Sequence, residues 1–238
     1  MTGLPVRLQL ALAKARLFHG AAPIRYLRPD EILHSELQQP VSHDAMQEVI
    51  RDRESIVWIA GDESGQEPLA HAGIAHLAKL ILGSGHFLFL ETNAMALRQR
   101  IHEFQPCGKF YFVIRFLGQE SEHDLRIGSR GAYAAAREGI RAAQLSGFYV
   151  CAKVESAVAQ GAGLTGLCAD LQPLDLDGVM ISSRHDKAAL RVSSGWNQFL
   201  QVVESARPEC FASLPPVGEP SPRVKNSSDA SCEEVAQV

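Results

Sequence analysis

Six short apolar runs recur along the chain, at residues 24–28, 55–60, 86–91, 110–116, 148–153 and 178–182. Most are continuous rather than alternating, and they are rich in β-branched and aromatic residues. That is the pattern of strands buried on both faces. Between them, apolar residues at helical spacing predict helices over 44–52, 72–82, 94–104, 131–146 and about 164–171, with another over 196–205 after the last strand. The helix over 131–146 is the clearest. Ser129 is placed to cap it, Tyr133, Ala136, Ile140 and Ala143 form its inward stripe, and Gly147 stands where a left-handed terminal residue belongs. The segment before it, with His123 and Asp124, reads as a loop.

Alternating strand and helix patterns imply right-handed crossovers and a mainly parallel sheet. Six such units fit either a doubly wound sheet or an incomplete (β/α)6 barrel, and periodicity does not choose between them. Upstream, Leu4, Leu8, Ala11, Leu12, Ala15 and Phe18 share one helical stripe, with Arg7, Lys14 and Arg16 off it. Such a helix packs on the domain or serves as a membrane-surface or partner contact. Charges interrupt it too often for a signal peptide. After Leu214 the chain turns to Pro215, Pro216, Pro220 and Pro222, then to Asn, Ser and Asp, a composition expected to stay disordered. The expected organisation is an N-terminal helix in 1–22, an α/β domain in 23–214 and a tail in 215–238.

The 238 residues, 46% of them hydrophobic, are enough for a self-sufficient core. A net charge of −4 without a basic block argues against nucleic acid as a partner. No apolar run reaches the ~20 residues of a transmembrane helix. The five cysteines, Cys107, Cys151, Cys168, Cys210 and Cys232, form neither a disulfide framework nor a CxxC pair, which suits a cytoplasmic setting. Nine histidines show no paired metal-ligand spacing.

An ordered series of short motifs adds a family likeness. It comprises Gly65-Gln66-Glu67-Pro68-Leu69, Glu91-Thr92-Asn93-Ala94, His123-Asp124, Gly131-Ala132-Tyr133 and Gly147-Phe148. In order and spacing this resembles radical S-adenosylmethionine (SAM) enzymes, in which GGEP-L closes the second strand and a Thr-Asn pair the third. The nearest likeness is to the hopanoid-biosynthesis branch, whose members join an adenosyl group to a hopene lipid. Pro29-Asp30 with Ile32-Leu33, Asp177-Gly178-Val179 and the basic N-terminal helix match that branch as well. The likeness runs roughly to Arg184 and implies an incomplete radical-SAM-like (TIM-type) barrel.

It also implies a [4Fe–4S] cluster on a CxxxCxxC loop after the first strand, because three thiolates hold the cluster and its fourth iron binds SAM. Here 24–28 runs directly into Pro29-Asp30-Glu31, and no cysteine precedes Cys107. The glycine pair of the GGEP turn is Gly65-Gln66, a His-Leu-Asp-Gly run of the fourth strand is Arg115-Phe116-Leu117-Gly118, and the family's units beyond the sixth have no evident counterpart. The expectation is a degenerate member with no 4Fe–4S cluster and weak or absent SAM binding.

From the likeness and the strand ends, the candidate ligand-binding residues are Gly65, Gln66, Glu67, Thr92, Asn93 and Arg115. Each has a structural alternative. Glu67-Pro68 also suits a helix-entry turn, and Asn93 suits a helix cap. Arg115, on an apolar strand, must pair with an acid such as Glu91 or face an anionic ligand. His123-Asp124 could form a dyad, but no nucleophile elbow accompanies it. Asp62 and Glu63 with Glu67 read as a solvated acidic turn.

The functional expectation is a non-catalytic binding or regulatory partner, linked to hopanoid or isoprenoid-lipid metabolism. The alternative is an enzyme using SAM, a nucleoside or a small anionic ligand at the barrel mouth without radical chemistry. A homodimer, or a complex with an intact radical SAM homologue, is expected through a sheet edge left open beside the first or sixth strand and through the helix over 4–18.

Overall fold

The computed structural model describes Leu10 and residues 24–27, 56–60, 67–155, 162–183 and 210–213. The helices expected over 4–18, 44–52 and 196–205, the turn containing Gly65 and Gln66, Pro29-Asp30 and the tail from 215 lie outside these residues, Leu10 apart.

All six expected strands form: β1 Ile24–Leu27, β2 Ile56–Ile59, β3 Phe87–Thr92, β4 Phe110–Phe116, β5 Tyr149–Glu155 and β6 Gly178–Ser183. They pair in parallel, in strict chain order, within one sheet. A doubly wound sheet must reverse its order at a switch point, and this one does not. Sequential order with crossovers of one hand places the helices on one face, as when a sheet winds toward a barrel. A seventh strand, β7 Cys210–Ser213, pairs antiparallel with β6. The edge beyond β6 is therefore covered, so of the two places considered for an open edge only that beside β1 remains. Among the described residues β1 pairs only with β2, and the sheet they form is open at β1.

The helices are α1 Ile74–Gly83, α2 Leu97–Arg100, α3 Glu120–Ile127, α4 Ala132–Leu145 and α5 Ala162–Leu171. Side chains alternate along each strand. One set, including Val57, Ile59, Leu88, Leu90, Phe110, Phe112, Ile114, Val150 and Ala152, packs with Ile74, Leu77, Ile81, Leu97, Ile140 and Leu167 of the helices as one core. The other set faces away from the helices. Its middle row is aromatic. Trp58, Phe89, Tyr111 and Tyr149 stand in register across β2–β5, with neighbouring centroids 5.2, 4.6 and 5.0 Å apart.

Three local expectations need correction. The crossover expected as one helix over 94–104 is only α2 and a single 3-10 turn, Ile101–Glu103. Its start is displaced because Ala94 is left-handed (φ 61°) in a turn closing β3. His123-Asp124 lies in α3, not in a loop. The inward stripe of α4 forms as expected, and Gly147 is left-handed, but Ser129 does not cap the helix with its side chain. That role falls to Asp124, which accepts from the Gly131 and Tyr133 amides at 2.5 and 2.8 Å.

Candidate functional site at the strand ends

Three charged residues of the sheet, Glu91, Arg115 and Lys153, gather on the helix-free face, toward the C-terminal ends of their strands. Glu91, Arg115 and Lys153 follow Phe89, Tyr111 and Cys151 at even spacing and so share their face. Register sets Val113 beside Glu91 and Lys153 beside Arg115.

The Lys153 ammonium donates to both Glu91 oxygens at 3.0 Å, and the Trp58 indole N–H donates to Oε2 at 3.1 Å. Both charged groups are buried, at 4% exposure for Glu91 and 6% for Lys153. Burial pushes the Glu91 carboxyl up, but the Lys153 and Arg115 cations outweigh it and hold the group below the usual carboxylate range. The acid weighed as a partner for Arg115 is thus bonded to Lys153.

Arg115 is half-buried, and its Nε, shielded from solvent, has no hydrogen-bond partner among the described residues. Its charge is felt by Glu67, Glu91 and His123, which places a guanidinium centrally at the strand ends.

Glu67 follows β2 and caps the 3-10 turn Pro68–Ala70, accepting from the Leu69 amide at 3.2 Å. It also accepts from the Thr92 hydroxyl and, at 2.8 Å, from the Asn93 amide. Thr92 Oγ1 in turn accepts from the Ala94 amide at 2.9 Å, and Asn93 Oδ1 from the Met95 amide at 3.0 Å. Glu67 therefore latches the loop after β2 to the turn after β3, and three acceptor positions of its carboxylate are taken by the protein. Burial lifts its carboxyl above the ordinary range despite these donors and Arg115. Arg100 fixes the same loop from below, donating to the carbonyls of Leu69 and, at 3.0 Å, His71.

Glu67, Thr92 and Asn93 thus come together as a mutual latch, with Arg115 near it. Gly65 and Gln66 lie outside the described residues. Lys153 stands at a strand end, where the sequence places the functional residues, but sequence reading did not pair it with Glu91 and missed Trp58 as a member of the charged cluster. The available signal was a lysine inside an otherwise apolar strand, but its partner is chosen by register between β3, β4 and β5.

The His123-Asp124 pair is structural. His123 is fully buried against Phe116 and Tyr133, and its Nδ1 accepts from the Leu117 amide at 3.2 Å. The ring proton then sits on Nε2, which has no partner among the described residues. Burial depresses its pKa, so it stays neutral.

The two cysteines with described side chains, Cys107 and Cys151, are not placed to share an iron–sulfur cluster. Cys107 packs in the helix-side core, whereas Cys151 lies on the opposite face of the sheet. Among the described residues no group of three or more His, Cys, Asp or Glu side chains is arranged to hold a metal ion. Nor, among them, is any helix long and apolar enough to cross a membrane.

No family model matches this chain, and no curated protein matches it. A solved structure, "Structure of TYW1 with a lysine-pyruvate adduct bound", is similar over 67% of this chain, at 12% identity and a TM-score of 0.45. The chain spans 56% of that protein's length. A likeness at that level carries no argument about function.

Proposed function

We propose that this chain is a cluster-free, radical-SAM-like α/β protein that binds a small anionic ligand at its strand ends and acts as a non-catalytic binding or regulatory partner. One observation carries the reading. The two described acids near Arg115 are committed elsewhere, Glu91 to Lys153 and Trp58, and Glu67 to the loop latch. The half-buried guanidinium, its Nε without a described partner, is left for an incoming carboxylate or phosphate. The ordered motif series supports a radical-SAM-like ancestry, and its nearest branch suggests a role in hopanoid or isoprenoid-lipid metabolism. The absence of a CxxxCxxC spacing anywhere in the chain supports a function without radical chemistry. We place the partner, a second copy or an intact homologue, on the edge of β1 together with the segment 4–18, for which the sequence predicts a helix.

Calorimetric titration with SAM, inorganic phosphate and acetate tests the ligand reading, using the wild type and Arg115→Gln. The expected result is that phosphate or acetate binds the wild type and loses about tenfold or more in affinity in the variant, as for a charge-assisted hydrogen bond. Equal affinities in the two proteins would refute the role of Arg115. Tight SAM binding would favour the enzyme reading instead. Light scattering, alone and with an intact homologue, tests the partner.

A further inference from the structure

We propose a second ligand site, on the helix-covered face at the end of the sheet where the strands begin, which takes an apolar molecule with one anionic head group, of the class of medium-chain carboxylates. The site arises from the short crossover between β3 and β4. After α2 only the turn Ile101–Glu103 remains before the chain heads into β4, so the sheet beside α1 lacks a full-length helix. A cavity of about 400 Å³ opens between α1 and this turn. That size lies within the usual range for small-molecule sites, roughly 300–1,000 Å³.

Its floor is apolar and preformed. Ala78, Leu82, Phe104 and Phe110 line it and are buried. Phe104 is braced by Phe110 and Phe112, with ring centroids 5.7 and 5.5 Å away. The rim is polar. His76 and Lys79 stand one turn apart on the exposed side of α1, and His102 contributes from the turn. The one carboxylate at the rim, Glu103, is held by Arg100, which donates from Nε at 2.7 Å and from Nη2 at 2.5 Å. Those bonds keep it ionised and neutralised. An aliphatic body therefore matches the floor, and a single carboxylate matches the lone ammonium and the imidazole donors above it. Among the described lining residues a cation finds no uncommitted acid, and a polyanion would find only one ammonium.

Gly83 supplies the test. It lines the cavity at the end of α1, and a Cβ built on it meets no atom within 4 Å. A leucine there would occupy the cavity without displacing the core. The full chain is titrated with sodium octanoate and with octylammonium chloride, followed by calorimetry and histidine NMR shifts. Saturable octanoate binding that shifts His76 and His102 is expected, with octylammonium much weaker. Gly83→Leu should abolish it, and Lys79→Glu, a surface change that leaves the fold intact, should weaken it about fivefold or more. Failure of octanoate to saturate the wild type overturns the proposal. So do octanoate binding that survives Lys79→Glu unchanged, and equal binding of the two probes.

Discussion

Replacing Lys153 by Met should destabilise the fold by about 3 kcal/mol, the lower end of the cost of breaking a buried ion pair. The variant removes both 3.0 Å bonds to Glu91 and leaves a carboxylate that is 4% exposed with one described donor, the Trp58 indole. The lower end applies because the Arg115 charge still reaches Glu91. For a chain of this size the loss corresponds to a melting temperature roughly 6–12 °C lower. Changing Glu91 to Met as well should recover most of it, since an apolar pair of similar volume carries no stranded charge. The pH dependence has a definite sign. In the wild type the Glu91 carboxyl is held low, so the stabilisation it provides is present above its ordinary pKa of 4.5 and is lost as pH falls through the folded value. Without Lys153, burial raises that pKa, and the deficit should shrink as the medium is acidified toward pH 4. Urea unfolding followed by tryptophan fluorescence suits the measurement, because the chain has two tryptophans and Trp58 donates to Glu91. A single variant within 1 kcal/mol of wild type, or a double variant as unstable as the single, would refute the assignment.

Anaerobic incubation with iron and sulfide should yield no stoichiometric cluster, as judged by absorption and iron content; a cluster lost on replacing Cys107 or Cys151 would overturn the reading. His123→Phe should cost about 1 kcal/mol near pH 8, where the bond from the Leu117 amide is lost. It should also flatten the stability profile below pH 6.5. The depressed pKa of His123 means that the unfolded chain binds the proton first, so wild-type stability is complete above 6.5 and declines as pH falls. Asp124 opposes this effect and Arg115 reinforces it; a slope unchanged in the variant would assign it to other groups. Gly139→Ala should destabilise by about 1–3 kcal/mol, because its Cβ would come within 2.7 Å of the Ala94 carbonyl oxygen, whereas Gly83→Ala has open space and should be neutral or slightly stabilising. Thermal unfolding of the two proteins in parallel checks the contrast.

The six parallel strands, and α1, α4 and α5 among the described helices, were legible in the chain because burial on both faces leaves a local signature, a short continuous apolar run such as Phe110–Phe116. The inward stripe of α4 was legible for the same reason, since helical spacing is a property of neighbouring residues. α3 escaped notice because its buried residue is His123, and a polar residue facing inward defeats any count of apolar positions. β7 is four residues beside a proline-rich segment, and only its pairing with β6 makes it a strand. The candidate site divides in the same way. Glu67, Thr92 and Asn93 could be singled out from motifs, but that they bond to one another depends on two loops meeting across parallel strands. That Glu91 takes Lys153 and leaves the Nε of Arg115 without a described partner depends on register, which aligns residues 62 positions apart and which no local pattern encodes. Local composition determined which segments are buried and of what kind; only the assembled sheet decided which buried charge meets which, because desolvated ions are stabilised by partners brought from distant strands.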